Sequence, residues 1–127
     1  MQKNKFHLAI PCDDVNEAMS FYSSIGCKIG RFDEKMCIVD FFGAQVVCHL
    51  SADKNKQKGL YPRHFGLILS SDNWLYVEDL CNKAGVTFVK KSFIRNESKP
   101  QCHKTFFISD PSGNMIEFKY YKDSNFI

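Results

Sequence analysis

Residues 6–26 read FHLAIPCDDVNEAMSFYSSIG, a strand pattern that runs straight into a helix pattern. FHLAIP alternates and predicts a strand. The following DDVNEAMSFYSSIG predicts a helix: Asp14 can cap its first turn with Glu17 three residues on, and Val15, Ala18, Met19, Tyr22 and Ile25 form the apolar stripe. Gly26 is placed to end that helix in a left-handed conformation. Three strand-like runs come next, CKIGRF, MCIVDFF and QVVCHLS, the last two joined by a hairpin signal at Gly43-Ala44. The same order then recurs. HFGLILS predicts a strand, Ser71 or Asp72 can cap a helix through NWLYVEDLCNKAG, and VTFVKKSF, KTFFIS and NMIEFKYY predict three more strands. Val77, Leu80, Cys81 and Ala84 form the second stripe, and Gly85 ends the helix.

The chain therefore reads as one α+β domain over residues 1–127, made of two βαβββ modules, residues 4–51 and 63–122, with a polar linker over 52–62. The repeat lies in the element order, since identity between the halves is weak. The polar loop NESKPQ is a candidate lid, and the DPSG turn reverses the chain between the last two strands.

Bulk properties narrow the function classes. At 127 residues and 44% hydrophobic content the chain can bury a real core. A net charge of +3 with scattered lysines gives no nucleic-acid stripe, and no apolar run reaches membrane-spanning length. The N-terminal sequence lacks the apolar stretch of a secretion signal, so a cytoplasmic location is expected. The six cysteines, none in a C-x-x-C pair, read as reduced core thiols.

Strand alternation separates His7 from Leu8 and Ile10, His64 from Phe65 and Leu67, His49 from Cys48, and Glu117 from Ile116 and Phe118. His7 and His64 stand at the same place in the two opening strands, and His49 and Glu117 are expected to match in the closing strands. If the modules pair about a pseudo-two-fold axis, the four side chains converge. Three of the four histidines fall in this pattern; His103 does not, and loop exposure is its expected state. Imidazole and carboxylate donors suit a divalent metal and leave positions open for water and substrate.

On FHLAIPCDDVNEAMSFY, RHFGLIL and FFISDPSGNMIEF the sequence resembles the vicinal oxygen chelate superfamily, which includes glyoxalase I, extradiol ring-cleavage dioxygenases and fosfomycin-resistance proteins. It looks most like small predicted extradiol dioxygenases. The resemblance implies an open, curved mixed sheet around a metal, with His7, His64 and Glu117 as ligands. It implies a metal-dependent enzyme that binds two adjacent oxygens of a small substrate, with Fe(II) or Mn(II) favoured and His49 as the acid–base catalyst. The alternative is a glyoxalase-type isomerase or lyase, with Ni(II), Zn(II) or Co(II) held by His7, His64, Glu117 and His49 together. A thiol transferase of the fosfomycin-resistance kind and a non-catalytic ligand-binding protein are further readings. The extradiol pattern has a tyrosine where this chain has Phe107, and its histidine lies further from the strand than His103 does. A homodimer is expected because open sheet edges benefit from pairing.

Overall fold

A computed structural model describes residues 4–51 and 59–127, so most of the expected linker lies outside the described residues. The elements run β1 (His7–Cys12), α1 (Val15–Ser24), β2 (Lys28–Phe32), β3 (Met36–Phe41), β4 (Ala44–Leu50), β5 (Phe65–Ile68), α2 (Ser71–Ala84), β6 (Thr87–Arg95), β7 (His103–Ser109) and β8 (Met115–Tyr121), before a final 3₁₀ turn at Ser124–Phe126. They form two four-stranded mixed sheets ordered β1-β4-β3-β2 and β5-β8-β7-β6. The opening strand of each module runs parallel to its closing strand, and the rest is antiparallel. The repeated βαβββ order read from the sequence is thus present, as a pair of sheets. No described helix is long and apolar enough to cross a membrane.

Local chemistry explains the boundaries. The Asp14 side chain accepts the Glu17 amide and starts α1. Ser70, rather than Ser71 or Asp72, caps α2 by accepting the Asn73 amide, and this places Asp72 in the first turn, where its charge suits the helix dipole. Gly85, at φ 68°, takes the left-handed position that closes α2. At the β3–β4 hairpin both Phe42 and Gly43 have positive φ, one residue earlier than the Gly43-Ala44 signal suggests.

One apolar core spans both modules. Ile10, Cys12, Tyr22 and Phe41 from the first join Trp74, Phe106, Ile116 and Phe118 from the second, with the Phe41 and Phe118 rings stacked at 6.0 Å. Trp74 is fully buried although it fell outside the expected stripe, because its indole nitrogen donates to the Phe118 carbonyl at 2.8 Å. Ala84, expected in that stripe, is exposed. Five cysteines are buried as free thiols, and burial pushes Cys12 up to about 11 and Cys27 and Cys81 up to about 12. Such groups are neutral packing atoms rather than nucleophiles near neutral pH.

Candidate metal centre

The outward faces of the opening and closing strands carry the polar residues, because Leu8, Ile10, Ile116 and Phe118 turn inward to the core. In the second module, β5 and β8 pair with Gly66 opposite Glu117, which brings His64 to the same place. His64 Nε2 lies 3.3 Å from Glu117 Oε1. Two ligand atoms each 2.1 Å from a shared ion would lie roughly 3.0–3.4 Å apart at right to tetrahedral angles. The observed spacing therefore fits a shared divalent ion. The other carboxylate oxygen, Oε2, accepts from Thr105 Oγ1 at 2.6 Å, so the buried carboxylate is fixed with Oε1 turned to the imidazole. His64 Nδ1 is buried and has no hydrogen-bond partner among the described residues. The ring is instead held by edge contacts with Tyr61 and Phe107, at centroid distances of 5.4 and 5.5 Å.

Thr105 was not foreseen. Alternation alone places Thr105, Phe107 and Glu117 on matching faces, but only the β7–β8 register, with Thr105 opposite Lys119 and Phe107 opposite Glu117, shows that the hydroxyl reaches the carboxylate. Thr105→Val keeps the shape and removes the donor. It is expected to weaken divalent-metal binding by about tenfold or more, as loss of a supporting hydrogen bond to a ligand does, read by calorimetric titration with Mn(II).

In the first module His7 is exposed, and its Nδ1 meets the Gln45 side-chain oxygen at 2.7 Å. An amide oxygen only accepts, so Nδ1 carries the hydrogen and Nε2 keeps a free lone pair, the tautomer a metal ligand needs. His7 does not join His64 and Glu117 within the chain: among the described residues no three His, Cys, Asp or Glu side chains come close enough together to hold an ion. Of the four expected ligands His7, His64, Glu117 and His49, the described residues of one chain bring together only His64 and Glu117.

The matching of His49 with Glu117 is corrected. Glu117 lies opposite Gly66, two residues after His64. Two residues after His7 is Ala9, and Ala9 lies opposite Val47. Val47, not His49, therefore occupies the place of Glu117 in the first module. His49 lies opposite Pro11, exposed, on the same strand face as His7 but some four residues, ~13 Å, along from Gln45. His103 is corrected as well: it opens β7, is buried, contacts the Gln101 carbonyl through Nδ1 at 3.0 Å and lies against the Tyr121 ring at 4.7 Å. The NESKPQ segment folds into a turn closed by Lys99 N–H donating to the Asn96 carbonyl and Cys102 N–H to the Lys99 carbonyl.

Two clefts adjoin the pair. One of about 220 Å³ is lined by His64, Gly66, Ile68, Glu117 and Lys119, and a larger one of about 590 Å³ runs between β1 and β5 with His64 on its wall.

Comparison with known proteins agrees with this architecture. Residues 6–118 match the family model described as the glyoxalase/bleomycin resistance protein/dioxygenase superfamily. A crystal structure of a glyoxalase/bleomycin resistance protein/dioxygenase from Alicyclobacillus acidocaldarius is 40% identical, with a TM-score of 0.93 over 98% of this chain and 96% of that one. The fosfomycin resistance protein FosX from Listeria monocytogenes shares the fold, with a TM-score of 0.76 over the full length of both chains at 14% identity. The glyoxalase domain-containing protein RDO1 of Mycosarcoma maydis is 22% identical over 93% of this chain and 68% of its own length.

Proposed function

Because the chain belongs to the glyoxalase/bleomycin resistance protein/dioxygenase superfamily, we propose that it is a divalent-metal enzyme acting on a small substrate through two adjacent oxygens. In this reading His64 and Glu117 of one chain and His7 of a second copy hold the ion, so the working unit is a homodimer. The observation that carries the reading is the 3.3 Å separation of His64 Nε2 from Glu117 Oε1. His7, exposed with Nε2 free, supplies the donor that one chain lacks.

A bound divalent ion would stabilise negative charge on the two substrate oxygens. The protein residues do the rest. Thr105 fixes the carboxylate, and Gln45 fixes the His7 tautomer. The rings of Phe107 and Tyr61 limit water beside His64. Val47 stands where a fourth ligand would be needed, which favours a three-ligand centre over the four-ligand glyoxalase arrangement. Two histidines and one carboxylate with open positions suit Fe(II) or Mn(II) and an extradiol-type oxygenase. We assign proton transfer to His49, which shares the strand face of His7 and, ~13 Å along β4 from Gln45, meets a substrate that extends along that strand from the ion.

Mixing two inactive variants tests the shared centre. His7→Ala and His64→Ala should each bind less than a tenth of the wild-type metal. Refolded together, they should regain one intact site per mixed dimer, because one His7 and one His64 then meet across the interface. No recovery in mixtures shown to contain heterodimers would refute sharing between copies. The reaction is tested by anaerobic Fe(II) loading followed by O₂ uptake on a panel of catechols. Turnover of a hemithioacetal with Ni(II), and no O₂ uptake, would point to the glyoxalase chemistry; tight ligand binding without either turnover would point to sequestration. His49→Ala should keep full metal occupancy and lose most turnover.

A further inference from the structure

Two cations, Arg95 and Lys119, and the hydroxyl of Tyr61 are unused by the reading above. On β8, Glu117, Lys119 and Tyr121 alternate onto one face, and the registers place Thr105 opposite Lys119 and His103 opposite Tyr121. Arg95 lies opposite His103 on β6, so its side chain rises from that same face. Arg95 and Lys119 are both half-buried. Neither is paired with a carboxylate among the described residues, whereas the exposed Lys83 is paired with Asp79 on α2. Lys119 lines the same cleft as His64 and Glu117, and its Nζ stands 5.4 Å from the centre of the Tyr121 ring.

Tyr61 links these cations to the metal pair. Its ring meets both His64 and Phe107 edge-on, and its Oη accepts a hydrogen bond from Arg95 Nη1 at 2.7 Å. A phenol oxygen that already accepts from a guanidinium has its own O–H left to donate. Tyr61 thus brings a hydroxyl-bearing ring edge-on against Phe107, the position where the extradiol pattern has its tyrosine. Lys119 on the wall of the cleft, and the Tyr61 O–H with Arg95 behind it beside the His64 ring, form a field complementary to a negative oxygen group, Glu117 being the one carboxylate of that cleft among the described residues.

We infer that Tyr61, Arg95 and Lys119 recognise an anionic group, a carboxylate or a phosphonate, on the ligand that chelates the ion at His64–Glu117. The inference rests on the metal reading of that pair and adds the substrate class: a chelating compound with a second, acidic end. Arg95 makes the charge-assisted contact and also holds Tyr61 in place; Tyr61 donates to the same group; Lys119 closes the opposite side.

Calorimetric titration of the Mn(II)-loaded protein with protocatechuate and with catechol compares two diols that differ only in a carboxylate. Protocatechuate should bind at least tenfold more tightly. Arg95→Gln should erase that preference, and Tyr61→Phe and Lys119→Gln should each reduce it severalfold, with metal occupancy unchanged. A purely structural Arg95 would weaken both diols in parallel, and that result, or equal wild-type affinities, overturns the inference. If neither diol binds, the diol reading fails, and phosphonoacetate decides the anion site. Binding that falls at least tenfold in Arg95→Gln sustains the inference, and no binding with or without Mn(II) sinks it.

Discussion

Gly66→Ala should abolish metal binding and lower the melting temperature by at least 10 °C, although it adds one methyl group on a strand. A Cβ built at Gly66 would collide with the main-chain carbonyl of Glu117, its direct partner across the β5–β8 ladder. The obstacle is backbone, which cannot swing aside as a flexible side chain can. Relief requires β5 and β8 to separate at the residue that carries the carboxylate. Overpacking in a well-packed region costs about 1–3 kcal/mol, and a collision with a ladder partner belongs at or above the top of that range. A loss of about 3 kcal/mol corresponds to roughly 10 °C for a domain of this size. The site is affected as well as the fold, because displacing the Glu117 backbone breaks both the Thr105 hydrogen bond and the 3.3 Å approach to His64. The matched position in the first module is Ala9, opposite Val47, where a methyl group is already accommodated. Ala9→Gly is therefore the control, expected to cost no more than about 1 kcal/mol through backbone entropy. Normal melting and full metal uptake by Gly66→Ala would show that β5 and β8 approach less closely than described.

The contrast between Ala9 and Gly66 also marks what the sequence could carry. Periods of two and of 3.6, the Asp14 cap and the Gly85 stop are local signals, and the elements they predict are present within a few residues. The repeat was legible for the same reason, since it is an order of local patterns. Register is not local. It depends on how far one strand slides along another, and the two modules differ in the spacing between opening and closing strands: His7 lies opposite Gln45, 38 residues on, while Phe65 lies opposite Ile116, 51 residues on. Matching His49 with Glu117 from alternation alone misplaces the first module by two residues, which preserves the strand face and so leaves no warning in the pattern. His103 shows a second limit. Its burial comes from the Tyr121 ring across the strand, a contact absent from any local window. The His64–Glu117 pair was readable because each residue carries the polar turn of an otherwise apolar alternation. The position of His7 apart from that pair within one chain was not, because how two modules sit against each other is not a local signal.

Asp110→Ala should destabilise the protein by about 4 kcal/mol, a large loss for one turn side chain. Asp110 begins the DPSG turn, whose sequence reading was simple strand reversal. Its carboxylate does more. Oδ1 accepts from the backbone amides of Ser112 and Asn114, both at 2.9 Å, which shapes the turn. Oδ2 accepts from the Tyr22 hydroxyl and from Asn114 Nδ2, both at 2.8 Å. Tyr22 lies on α1 in the first module, so one buried carboxylate joins the two halves of the chain. Two neighbouring bonds reinforce the joint: Asn114 Nδ2 donates to the Pro11 carbonyl at 2.9 Å, and the Asp13 amide donates to Ser112 Oγ at 2.8 Å. Burial and the nearby Asp110 charge hold the Tyr22 hydroxyl well above its ordinary pKa, so it remains a donor across the working pH range. Hydrogen bonds to a charged group contribute about 1.5–3 kcal/mol each, and removing the acceptor leaves the buried Tyr22 donor unsatisfied. Tyr22→Phe removes the donor instead and leaves Asp110 with its other three partners, so it should cost only about 2 kcal/mol. Because the two residues share one bond, their effects should not add: Tyr22→Phe in the Asp110→Ala background should cost almost nothing, a coupling of about 2 kcal/mol in urea unfolding. Additive losses would place the stability of the joint in the turn alone. Full coupling would mean that the turn which positions Glu117 at the start of β8 is also the bond holding the His7 module to the His64 module, so that the spacing of the candidate ligands and the stability of the fold depend on the same carboxylate.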